Sequence, residues 1–300
     1  MATAVHADIE ALMAGRLGEW LAGQERMRAA AREQAYWRWT WGAAVLMPLI
    51  AFLWFVPGLE EWPVKVALFG GIGTWIWGRR PITAAQHTIK VGINAAIAES
   101  LGLTYAPDVD PGAEFDLART YALVPLHDRA RFEDHWHGTL AGHRFGLYEA
   151  HLEKRDQSDR RRRWVTVFRG AIVMMSYGRE FHSTTLLGQP DDHRSWLGFG
   201  SPKESITVDG HQLDAVEQVH PDFDITFGVW SDDQVEARML LHPVFIEHLL
   251  AVEQAFGRRL RVLFHEGRMI LAIESDKLFE SGALGGATDR ARAEHTAGQF

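Results

Sequence analysis

The sequence predicts an α+β protein. An N-terminal amphipathic helix and a two-helix transmembrane hairpin come first. A mostly antiparallel β domain follows, with a C-terminal helix pair and a final hairpin. Three observations predict this. Trp41–Leu59 is free of charge and bordered by tryptophans. From His135 onward, β-branched and aromatic runs alternate with Gly- and Asp-containing turns. At Ser231 the pattern switches to helix-start chemistry.

Five segments follow: a cytoplasmic amphipathic arm over 1–38, a transmembrane helical hairpin over 39–80, a connecting helix over 81–105, a cytoplasmic α+β domain over 106–280, and a disordered tail over 281–300. In the arm, Ile9, Leu12, Met13, Leu17, Trp20 and Leu21 recur at three- and four-residue spacing, which places them on one helix face. That face suits a membrane surface, a partner helix or the chain's own domain.

The first hairpin run is just long enough for a bilayer core of roughly 30 Å. Pro48 within it removes one backbone hydrogen bond. The second run, Val66–Gly78, reaches a workable length only if Trp62–Lys65 join it and Lys65 snorkels. Gly70, Gly71 and Gly73 offer a close-approach face for the first helix. Trp37, Trp39, Trp41, Trp75 and Trp77 fall at one interface, and Trp54 and Trp62 near the other. Arg26, Arg28, Arg32 and Arg38 precede the hairpin, Arg79 and Arg80 follow it, and Glu60 and Glu61 occupy the turn. The positive-inside rule then puts both termini in the cytoplasm.

Composition narrows the function classes. Met1–Tyr105 carries 9 Lys and Arg against 8 Asp and Glu, a net +1; Ala106–Phe300 carries 22 against 31, a net −9. An acidic soluble part argues against nucleic-acid binding, which needs phosphate-neutralising surface. Eight of the 12 Trp lie in the first 80 residues, so the aromatic excess belongs to the anchor. The chain has no Cys, which removes disulfides and thiolate chemistry.

After the hairpin, Pro81 suits a first helical turn, and Ile82, Ile89, Ile93, Ile97 and Leu101 mark one apolar face that ends at Gly102. Ala106–Gly112 reads as a linker. Phe115–Leu126 reads as a short helix or an irregular segment. Strands are expected at His135–Leu140 and Phe145–Leu152 around Ala141-Gly142, at Trp164–Met175, and at Thr184–Leu187. Ile206–Val208 and Leu213–Val219 flank Asp209-Gly210, a hairpin turn signal. Phe223–Trp230 reads as another strand. Ser231-Asp-Asp-Gln234 matches a capping box with the serine at N-cap; Pro243 breaks or restarts the helix. Two last strands, Arg259–Phe264 and Met269–Glu274, flank His265–Arg268.

Candidate chemistry is sparse. His127, His135, His137, His143 and His151 are concentrated in one region. His135 and His137 point to one face of a strand and are a candidate metal pair, with Glu133 or Asp134 as an added carboxylate. Scattered surface histidines are the alternative. Arg160, Arg161, Arg162 and Arg163 form a basic run suited to anionic lipid head groups, or a solvated loop neutralised by Asp156 and Asp159. Asp233, Glu236 and Arg238 are explained by capping and a helix-surface ion pair. No GxSxG, HExxH or Walker A sequence occurs, and no cofactor is predicted.

The stretches FEDHWHGTLAGHRFGLYEAHLE, WVTVFRGAIVMM, FGVWSDDQVEARMLLHPVFIEHLLAVE and GRMILAIESDKLFE together resemble the bacterial family catalogued as domain of unknown function 3137. Its most specific piece is Asp233–Arg238 followed by Leu241-His-Pro243. The resemblance runs from the hairpin to about Glu280. It implies this order of arm, two membrane helices and domain, and it carries no activity or site residue. The leading expectation is a multi-pass protein of a bacterial inner membrane whose cytoplasmic domain binds a protein partner or another copy of itself. The alternatives are a membrane-anchored, metal-dependent enzyme built on the His-rich hairpin, and a module that senses anionic lipid.

Overall fold

The computed structural model describes residues 16–58, 61–156, 163–189, 204–217, 221–256 and 260–275. The chain divides between Ser100 and Leu101 into two compact units.

The described part of the first unit is a pair of 39-residue helices, α1 (Arg16–Trp54) and α2 (Trp62–Ser100). They run antiparallel: the Trp39 indole donates to the Trp75 carbonyl at 3.5 Å, and Arg38 donates to the Trp77 carbonyl at 3.2 Å. Glycine sets the approach. A Cβ at Gly70 would run into Leu46, and one at Gly78 into Trp39; Gly71 and Gly73 face open space instead. Of the three glycines expected in the close-approach role only Gly70 fills it, together with Gly78 and with Gly42, where a Cβ would run into Thr74.

Neither helix breaks where the sequence suggested. The arm continues into the first apolar run as one helix, Pro48 included, and α2 passes through Pro81 into the expected connecting helix. Ile89, Ile93 and Ile97 are buried, and Gly102 follows the helix at φ 70°. Among the described residues no helix is long and apolar enough to cross a membrane. The physical reason is where hydrogen bonding changes. After Trp54 the chain turns through Phe55 N–H to Phe52 and Val56 N–H to Leu53. The charge-free helix from Trp39 to Trp54 is then only about 24 Å long at a 1.5 Å rise, against a hydrocarbon core of about 30 Å. On α2, Lys65 and Arg79 bracket a similar length.

The second unit carries one antiparallel sheet. Its strands among the described residues are β1 (Leu103–Asp108), β2 (Arg129–Leu140), β3 (His143–Arg155), β4 (Trp164–Ser176), β5 (Thr184–Gly188), β6 (Ser205–Val208), β7 (His211–Ala215), β8 (Gly228–Ser231), β9 (Leu260–His265) and β10 (Arg268–Glu274). The spatial order is β1-β2-β3-β4-β10-β9-β5-β8-β7-β6. Four helices accompany it among the described residues: α3 (Gly112–Thr120), α4 (Pro221–Thr226), α5 (Gln234–Leu240) and α6 (Pro243–Phe256).

Central strands are buried on both faces, so their side chains divide between two cores. From β10, Met269, Leu271 and Ile273 join Phe223, Leu240, Ile246 and Leu249 beneath α4–α6. Ile270 and Ala272 join Phe115 and Ala118 of α3 on the other face, with Phe168, Ile172 and Trp230. Each face therefore has its own helical cover.

Three local expectations need correction. Residues expected to begin a linker form strand β1, which pairs with β2 as an edge and so tolerates Pro107. The expected strand Phe223–Trp230 is a helical turn followed by β8. Phe223 and Phe227 are four residues apart, the Phe227 N–H bonds the Phe223 carbonyl, and both rings enter the same core. Ser231 is the last residue of β8 rather than a helix cap. Asp233 caps α5, its carboxylate accepting from Val235 and Glu236 N–H at 2.8 and 2.9 Å.

The same acidic stretch fastens β5. Asp232 accepts from Thr184 N–H at 2.8 Å, and Glu236 accepts from His182 and Ser183 N–H at 3.1 and 2.7 Å. The Ser183 hydroxyl and these backbone amides together hold the Glu236 carboxyl below the usual range. Asp233→Ala removes the acceptor of two helix-end amides and is expected to cost about 1 kcal/mol, read as a lowered urea midpoint at unchanged slope.

Candidate functional site

The bulge in β2 builds the site. Register shifts between Glu133 and Trp136, where Asp134 adopts φ 57°. Asp134 is buried there and accepts a 2.6 Å hydrogen bond from the Tyr105 hydroxyl. Beyond the bulge, His135, His137 and Thr139 alternate onto one face. Across the ladder, β3 supplies Arg144, Gly146 and Tyr148 to the same face, with His137 opposite Gly146 and Gly146 opposite Met174 of β4. Val109, Asp110, Pro111 and Glu114, leading into α3, close the wall. The resulting cavity is about 410 Å³.

Gly146 forms its floor. A Cβ there would meet Met174 at 3.6 Å and His135 at 3.9 Å, so a larger residue would fill the cavity. The His135 and His137 rings stack with centroids 4.6 Å apart. Tyr148 lies edge-on to His135 at 6.0 Å. Tyr148 is 4% exposed, and its hydroxyl has no hydrogen-bond partner among the described residues.

Burial, reinforced by the Glu114 and Asp116 carboxylates, pushes the Tyr148 phenol well up, so it stays protonated. Burial, then the neighbouring His137, pushes His135 down; Glu114 opposes in part. His265, beside Thr184, is lowered chiefly by burial as well. A histidine held below its unfolded value makes the unfolded state bind more protons as pH falls through about 6.5. Stability is therefore full above that pH and declines below it. Acidification from pH 7.5 to 5.5 is expected to lower the melting temperature of the protein. His265→Gln is expected to flatten that slope in differential scanning calorimetry.

The other expected site residues are dispersed. His127 contacts the Pro125 carbonyl, and His151 contacts Thr166. His143 lines a second cavity of about 640 Å³, together with Tyr177, Phe181, Met239, His242 and Phe245. Glu133 pairs with Arg131 at 2.6 Å. Among the described residues no group of three His, Asp or Glu could hold a metal ion. Arg160, Arg161 and Arg162 lie outside the described residues. The Arg163 carbonyl accepts from Asp156 N–H at the foot of the β3–β4 pair. Trp37, Trp41, Trp54, Trp62, Trp75 and Trp77 are exposed, and Trp39 is half-buried.

Sequence reading missed Tyr148, Arg144, Gly146 and Glu114. The period-two spacing of Arg144, Gly146 and Tyr148 within an expected strand was the available signal.

The architecture is that of an α+β sheet protein preceded by a long helical pair. Residues 166–300 match the model of the family described as protein of unknown function (DUF3137). The match does not extend to the residues before 166. The crystal structure of the mycobacterial trehalose monomycolate transport factor A, TtfA, is similar at a TM-score of 0.37 and 10% identity, over 70% of this chain and 92% of that one. No curated protein matches.

Proposed function

We propose that this is a protein of a bacterial inner membrane, without catalytic activity of its own. Its helical pair embeds in the bilayer and its sheet unit binds a protein partner or a second copy. The observation that carries the reading is the apolar coat of the pair. Phe52, Phe55, Val64, Leu68, Phe69 and Ile72 are all exposed, from 49% at Ile72 to 84% at Phe55. Water-facing monomers rarely carry a contiguous patch of this kind. Further along, Arg38 lies over Trp77 and Arg79 over Trp75, with the latter pair at 4.7 Å. Such amphipathic pairs suit the head-group level, and the arginines at that end of the pair support a cytoplasmic side for it by the positive-inside rule. The short apolar length is met by snorkelling of Lys65, which reaches over Trp62, and by local thinning of the bilayer.

Membrane fractions washed with alkaline carbonate test this. The protein is expected to stay in the pellet, and its recovery in the wash would overturn the embedding. A metal-dependent enzyme is the second reading, favoured by the side-by-side His135 and His137. Stoichiometric zinc in the purified protein, lost on His135→Ala, would replace the non-catalytic reading with it.

A further inference from the structure

We propose that the cavity between β2–β4 and the start of α3 binds the ammonium group of a small organic amine. This is independent of how the helical pair meets a membrane.

Three features of the cavity converge on that chemistry. Its size is the first. About 410 Å³ suits a molecule of metabolite size, not a peptide segment or an acyl chain. Charge is the second. Asp110 and Glu114 stand on the α3 side, against Arg144 on β3, so acids outnumber fixed cations in the lining. Asp116 adds to the negative field felt at Tyr148. The third is the Tyr148 hydroxyl. Among the described residues this buried phenol oxygen lacks the hydrogen bond that such groups almost always make. An ammonium carries three donors. One would meet the Asp110 or Glu114 carboxylate; the phenol oxygen is closed off from water, so Tyr148 would turn toward the ligand to receive another. The Tyr148 ring, edge-on to the stacked His135 and His137 rings, supplies an aromatic surface to which a cation is attracted. Gly146 leaves the space in which the ligand would sit.

Arg144 is exposed at the rim. A ligand whose amine enters and whose carboxylate stays outside would meet it there. The shared chemistry is therefore an organic ammonium, supplied either by a simple amine or by an amino acid.

Isothermal titration calorimetry of the full-length protein in detergent tests the proposal. The probes are 1,4-diaminobutane, ornithine and butane-1,4-diol. The first two are expected to bind, and the diol, which keeps the shape without the charge, is not. Glu114→Gln is expected to weaken binding of both amines by about tenfold, because a charge-assisted hydrogen bond is lost. Tyr148→Phe is expected to weaken both several-fold. If one variant fails to fold, the other carries the test. Ornithine binding more tightly than the diamine, with the difference removed by Arg144→Ala, assigns an amino acid; equal affinities assign a simple amine. The proposal is overturned if neither amine gives saturable heat at millimolar concentration. It is equally overturned if the diol binds as well as the diamine, or if every folded variant binds both amines like the unaltered protein.

Discussion

Gly170→Ala is expected to destabilise the sheet unit by about 3 kcal/mol, the upper end for an overpacked site. Gly170 lies in the middle of β4, paired with Ala150 on β3 and Glu274 on β10. A Cβ at this position would overlap the Ile273 carbonyl oxygen and crowd the Cα of Glu274. Both are backbone atoms of the neighbouring strand. No rotamer change relieves the clash; β10 itself would have to move away. That strand is bonded on its other side to β9, so the displacement spreads through the sheet centre. Domains are stable by only about 5–15 kcal/mol, so the loss is a large share of the whole. Urea unfolding followed by circular dichroism reads it directly. A midpoint equal to that of the unaltered protein would refute the close-packed ladder at this point.

Phe264→Ala is expected to cost about 3–5 kcal/mol. Phe264 is fully buried on β9, facing α5 and α6. Its ring makes edge-on contacts with Phe245 at 5.5 Å, Tyr177 at 5.7 Å and Phe181 at 6.0 Å. Truncation removes the transfer energy of the ring, leaves a void, and breaks three aromatic pairs together. These rings come from three separate segments, β9, α6 and the β4–β5 connection, so the void cannot close by moving one element. Phe264→Leu keeps most of the volume and is expected to cost less than half as much. Equal losses for the two variants would show that ring packing does not hold this core.

The parts of the fold that were legible from sequence are the ones written locally. Ala141-Gly142, Asp209-Gly210 and Glu266-Gly267 all take positive φ, as two-residue hairpin turns require, and each flanks strands that the alternation had placed. Pro243 restarts a helix as read, with the His242 ring and carbonyl receiving the Phe245 N–H. What was not legible depends on partners distant in sequence. Leu103–Asp108 carries Pro and Asp and becomes a strand only because β2 is there to pair with it. Phe223–Trp230 is apolar enough for a strand, and only the core beneath α4 decides otherwise.

The site divides in the same way. His135 and His137 were placed together by strand periodicity, and their rings do meet. Glu114 reaches them from α3, and the isolation of the Tyr148 hydroxyl is a property of everything packed around it. For the helical pair, charge-free length was readable. The hydrogen-bond change after Trp54, which shortens the helix, was not.

The β9–β10 hairpin lies between β4 and β5, although among the described residues it is the last pair of strands in the chain. During translation, β1–β4 and β5–β8 must therefore wait as two open fragments. The inner edge of β4 from Gly170 to Ser176, which reads GAIVMMS, stays unsatisfied until residues 268–274 leave the ribosome. A long apolar edge of this sort templates association between chains. The yield of intact protein is thus governed by a race between completion of the chain and encounters among nascent copies. Slower expression at lower temperature favours the first.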